Sequence, residues 1–172
     1  MIYTVLNDLM VNALELWDYS PAFPAGYAGL VQPIFVPAQM FQLEAQIENL
    51  TNQGQFTQVI IGIESLPGHD SGTKTFGDVY GLGQAPGTTY RLGSRIRYVF
   101  QVSAWTDQQL GGMTMARKLA EQIVGAMFYY RNRLTTIRHI NLFHWQEVFY
   151  DQPQLHSVNL TFEGDVHITV DV

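Results

Sequence analysis

The residue types that could do chemistry at neutral pH are few in this chain: five histidines, His69, His139, His144, His156 and His167, fifteen carboxylates and no cysteine. Without cysteine there is no disulfide framework, thiolate nucleophile or Cys-ligated metal. A metal site would need histidines and carboxylates to converge. His139 and His144 are five apart in a segment that reads as a strand, which puts them on opposite faces, and His167 falls on the polar face of the last strand. A Ser or Thr nucleophile would need a His base, and no G-x-S-x-G elbow occurs; SAW and SVN are ordinary strand residues. The expectation is a protein that is not an enzyme and has no cofactor and no metal. The catalytic alternative is a small metal-dependent hydrolase using His139, His144 or His156 with carboxylates.

Anion recognition fares no better. GDVYGLGQAPG contains the closely spaced Gly81 and Gly83, but a phosphate cradle needs a helix behind it, and Ala85, Pro86 and Gly87 extend the loop instead. Arg91, Arg95 and Arg97, with Arg131, Arg133 and Arg138, form two basic groups. A net charge of -6 with nine basic residues argues against a grip on phosphate backbones, which depends on clustered cations releasing counterions. These arginines read as paired or interface residues. The stretch MIYTVLNDLMVNALELWDYS has no basic leader and carries Asn7, Asp8 and Glu15 within its apolar run, so it reads as neither signal peptide nor membrane span. A cytoplasmic product with no membrane partner is expected.

Hydrophobic periodicity sets the elements that would hold these residues. Ile2, Val5, Leu6, Leu9, Met10, Ala13, Leu14 and Trp17 recur at helical spacing, and Pro21, Pro24, Gly26 and Gly29 end that helix near Asp18. Residues 19–55 read as an extended, proline-punctuated arm in which Pro33 and Pro37 restrict any strand to an edge or a short run. QFTQVIIGIESL is a strand with Val59, Ile61 and Ile63 on one face and Ile60 on the other. Residues 67–90 read as a long loop insertion; 67–89 contain six glycines and two prolines, and loops of more than about 15 residues in compact domains are typically either functional or disordered until they meet a partner, with ordering on contact the favoured reading.

RIRYVFQVSAWTDQQLGGMTMARKLAEQIVGAMFYY follows. Ile96, Tyr98, Phe100, Val102 and Ala104 form the apolar face of a strand. Thr106 with Gln109 predicts a capping box, and a helix then buries Met113, Ala116, Leu119, Ala120, Ile123, Met127 and Tyr130, starting as late as Thr114 because Gly111 and Gly112 weaken its first turn. INLFHWQEVFYD is an aromatic strand. From Val158 to Val172 even positions are apolar and odd ones polar, which favours one long strand over a hairpin at Glu163, Gly164 and Asp165. The sum is a single α+β domain over 1–172, with an antiparallel or mixed sheet and helices packed on one face.

Aromatic residues make up 13% of the chain. Tyr19, Phe23, Tyr27, Phe35 and Phe41 in the arm, and Phe76, Tyr80 and Tyr90 with Arg91 and Arg95 around the loop, are candidates for a subunit or partner interface. A single small core would struggle to bury them all. The arm could equally wrap its own domain.

YVFQVSAWTDQQLGGMTMARKLAEQIVGAM resembles the strand, short turn and helix of phage tail terminator proteins. FHWQEVFYD and LHSVNLTFEGDVHITVDV match the strands by which those proteins return, so the resemblance covers about residues 92–172 plus the N-terminal helix. It implies a virion structural protein of the head-tail joint, made in the host cytoplasm. Such a protein forms a hexameric ring of identical copies, caps the tail tube protein and docks on a head-completion or connector protein. DNA would pass without specific binding, for which an acidic channel wall is suited. The 67–90 loop would reach a neighbour or the connector. The alternative in the same setting is a head-completion or connector-adaptor protein. The arm and the glycine loop depart from the smaller family members.

Overall fold

The computed structural model describes residues 2–24, 33–38, 42–66, 78–80, 91–151 and 154–171. Helix α1 (Ile2–Leu9) is extended by a π-helical turn, Met10–Leu14, closed by Glu15 N–H donating to the Met10 carbonyl at 2.8 Å. The expected apolar stripe is present: Val5, Leu6, Leu9, Ala13 and Leu14 are buried. A 3-10 turn at Ser20–Ala22 follows. Strand β1 (Ile34–Ala38), helix α2 (Leu43–Asn52) and strand β2 (Ile60–Ser65) come next.

The short β3 (Asp78–Tyr80) precedes β4 (Arg91–Asp107), helix α3 (Gly112–Tyr130), β5 (Ile137–Tyr150) and β6 (Leu155–Asp171). The sheet order is β1-β2-β4-β6-β5, with β3 beside the start of β4. β6 runs unbroken through Gly164 and pairs antiparallel with β4 along its whole length, from Arg91↔Asp171 to Asp107↔Leu155. The single long strand is therefore correct. Gly164 serves packing rather than turning: a Cβ there would stand 2.6 Å from Ile137 Cδ1 and 3.2 Å from the Arg138 carbonyl.

The fold is α+β, as expected, and the sheet is mixed. β1 is parallel to β2, which requires a crossover, and α2 supplies it. Within the segment 19–55 read as an extended arm, Leu43, Ile47 and Leu50 recur at i, i+4 and i+7 on a helix. β4 and β5 both run antiparallel to β6, so they are parallel to each other. Helix α3 carries the chain between them across β6.

The two long apolar elements, α1 and α3, share one face of the sheet. Their buried residues join Val59, Ile61 and Ile63 of the β2 segment, Phe100, Val102 and Ala104 of β4, and Val158, Leu160, Phe162 and Val166 of β6. All the residues anticipated for the α3 stripe are buried except Tyr130, which packs at its margin. Helix α2 lies on the opposite face, where Leu43 and Ile47 meet Ile60, Trp105 and Leu155. Ile60 thus turns away from Ile61, as its parity required. The approach of α2 is close: a Cβ on Gly62 would stand 2.6 Å from Leu43 Cδ2.

The predicted capping box at Thr106 does not form. β4 continues through Asp107, so Thr106 is still in the strand, and its hydroxyl donates to the Gly112 carbonyl at 2.6 Å. The chain turns through Gly111 and Gly112, at φ +99° and +59°, conformations that side-chain-bearing residues rarely adopt. The glycines that weaken the helix on propensity grounds are the ones that let it start at Gly112 rather than Thr114.

Candidate assembly surface

β1 and β5 end the strand order of the sheet, with the three-residue β3 off that order beside β4, and the two end strands differ in kind. β1 has five residues. Ile34 N–H donates inward to the Val59 carbonyl at 2.9 Å. In a parallel pair, alternate residues direct their backbone groups to the same side, so Phe35 and Pro37 present theirs outward. Pro37 has no N–H to present, and this margin is blunted.

β5 has fourteen residues and no proline. Its first half is interrupted by register shifts between Arg138 and Asn141 and between Leu142 and His144, after which His144–Tyr150 pairs with β6 without interruption. His139 lies within the first irregularity at φ +54°. Its N–H is held by Asn132 Oδ1 at 3.0 Å and its carbonyl by Asn141 Nδ2 at 3.2 Å. Such bulges interrupt an edge. Among the described residues no strand pairs with the outer side of β5, and its second half is the regular part of that margin.

Three large aromatic side chains flank that margin. Trp145 and Phe149 pair with Leu160 and His156, which places them on the α3 side of the sheet; they are 38% and 62% exposed. Phe149 meets the His156 ring edge to face at 5.1 Å. Phe143 turns to the other face, where the Arg97 guanidinium stands 5.8 Å from its ring centre and Arg97 pairs with Glu163. Between Trp145 and Phe149, Glu147 accepts two hydrogen bonds at 2.7 Å from Arg117 of α3, one from Nε and one from the terminal nitrogen. That fork lowers the Glu147 carboxyl and raises the Arg117 guanidinium from their ordinary pKa values, chiefly through the hydrogen bonds.

Those interface candidates from sequence that the structure describes belong to other elements. Tyr19 is buried in its own domain, donating its hydroxyl to the Leu14 carbonyl at 2.8 Å. Phe35 packs beside it, with ring centres 6.0 Å apart, and Phe23 lies against the same core. Tyr80 is the last residue of β3, and Arg91 and Arg95 belong to β4. Tyr27, Phe41, Phe76 and Tyr90, and the loop around β3, lie outside the described residues. Phe143, Trp145 and Phe149 were not singled out, although INLFHWQEVFYD held the signal. Its aromatics fall on both faces of a strand, more than one buried face can use.

The chemically able residues are dispersed. His139 Nδ1 lies 3.2 Å from Asp165 Oδ2, His144 is exposed, and His156 sits against Phe149. Among the described residues no three His, Asp or Glu side chains converge as metal ligands. A cleft of about 270 Å³ lies among Thr135, Thr136, Arg138 and Asp165, but both threonine hydroxyls donate to Asp8. Arg131, Arg133 and Arg138 are held by Asn141 Oδ1, the Tyr129 ring and the Asn132 carbonyl, near the C-terminus of α3, where cations are favoured.

No protein-family model matches the chain, and no curated protein matches it.

Proposed function

We propose that this protein is a virion structural component that closes into a ring of identical copies at the head-tail joint, capping the tail tube and docking it to the head connector. The observation that carries this reading is the inequality of the two outer strands. One margin is short and blunted by Pro37; the other, over its second half, is regular, has its one carboxylate paired with Arg117, and is flanked by exposed aromatics. Where such a margin docks on a different surface of its neighbour, the contact is head-to-tail, and head-to-tail contacts close into rings when the rotation permits. The likeness of residues 92–172 to tail terminators supplies the setting, and the order of strand, helix and two return strands agrees with it. The ring carries out no turnover chemistry.

Light scattering on the eluting protein, with negative-stain imaging of the same fractions, tests the proposal. Rings of one copy number that bind purified tail tubes are expected. A strict monomer at high concentration would overturn it. Rings that bind DNA-filled heads but not tubes would instead assign the protein to the head-completion side of the joint.

A further inference from the structure

The geometry points to the His144–Tyr150 half of β5 as the strand on which a second copy of this chain docks. The inference rests on the ring reading and names the surface that would build the ring. Seven residues in uninterrupted register make an edge about as long as a typical strand. The bulges end it on one side and the turn at Asp151 on the other. An open edge of this kind is a template for another backbone, and it needs cover to avoid indiscriminate pairing.

The charge pattern selects the occupant. FHWQEVFY contains one formal charge, Glu147, and Arg117 neutralises it. The chain as a whole carries -6, so two copies repel over most of their surfaces and can approach here without that cost. The strand itself offers no run of cations to a polyanion and no run of carboxylates to a basic partner, although the exposed Asp151 follows it directly.

The area fits as well. Phe143, Trp145 and Phe149 flank the edge, and Phe128, 48% exposed, is three helical turns beyond Arg117 on the same side of α3. Their exposed parts amount to on the order of 400 Å² of aromatic surface. That is roughly half of the ~800 Å² per partner in a stable interface, and the backbone of the paired edge supplies more.

Phe149→p-benzoylphenylalanine places a photo-cross-linker at the margin, and Phe149→Glu places a charge there. Leu16, 63% exposed on the π-helical side of the molecule, is the control position for both. Irradiation should give a covalent dimer of this chain from position 149 and none from position 16. Phe149→Glu should weaken assembly at least about tenfold, with the circular dichroism spectrum of the wild type retained, while Leu16→Glu assembles normally. If the wild type forms rings, position 149 gives no dimer and Phe149→Glu assembles undiminished, the β5 surface is wrong and the ring stands. If β5-dependent dimers form but never close, the surface is right and the ring is wrong. A monomeric wild type sinks both.

Discussion

Asp8 shows how one buried carboxylate ties α1 to the start of β5. It accepts from Asn12 Nδ2 at 2.6 Å, from the Thr136 hydroxyl at 2.6 Å, from Thr136 N–H at 3.2 Å and from the Thr135 hydroxyl at 3.4 Å. Burial by itself raises its pKa, but the hydrogen bonds from Thr136, Asn12 and Thr135 together outweigh that effect, and the net shift is downward from 3.8. A carboxyl whose pKa is lower folded than unfolded stabilises the fold fully above the unfolded value. That contribution is lost as pH falls through the folded value. Urea midpoints should therefore drop as pH falls below about 4, and Asp8→Asn should be less stable at pH 7 by about 1–3 kcal/mol and show a shallower acid drop. Tyr19 belongs to the same scale. Burial raises the pKa of its phenol, and its hydroxyl satisfies a carbonyl at the end of the π-helical turn. Tyr19→Phe should cost about 1–3 kcal/mol in thermal melts while leaving assembly intact, as expected of a core residue rather than an interface one.

At the scale of elements, a single small residue governs how β5 meets β6. Ile137 is fully buried above Gly164, and the Arg138 carbonyl limits the other side. Gly164→Ala should destabilise the fold by about 1–3 kcal/mol through overpacking, measured by thermal unfolding. It should also loosen hydrogen-exchange protection in β5 before β4. The elements that were legible in the sequence are those whose one buried face is continuous. The parity of β6 never slips from Val158 to Val166, and α3 keeps one stripe from Met113 to Met127. Helix α2 was hidden because Pro33 and Pro37 dominate its neighbourhood, although Leu43, Ile47 and Leu50 kept helical spacing. The parallel pairing of β1 and the start of α3 at Gly112 depend on a crossover and on positive-φ glycines. Hydrophobic period does not encode either of these. The open margin of β5 was legible only as composition, since the strand at the edge of a sheet is decided by tertiary order.

At the scale of the whole molecule, α1 and α3 pack on one face of the sheet and α2 on the other. β5 is left at the margin with Trp145 and Phe149 exposed. If copies cover that margin only when folded, assembly is linked to stability, because any partner that binds the native state alone shifts the unfolding equilibrium by mass action. The thermal midpoint of the wild type should then rise with protein concentration, by several degrees over a hundredfold range, given about 2–4 °C per kcal/mol for a chain of this size. Phe149→Glu should show the same rise only at concentrations at least about tenfold higher. The dependence should also survive about 1 M salt, where the Debye length is near 3 Å, because the margin joins apolar rings and backbone rather than opposite charges. A midpoint that is flat with concentration in the wild type, or a slope that disappears in salt, would mean that the aromatic edge does not hold the copies together.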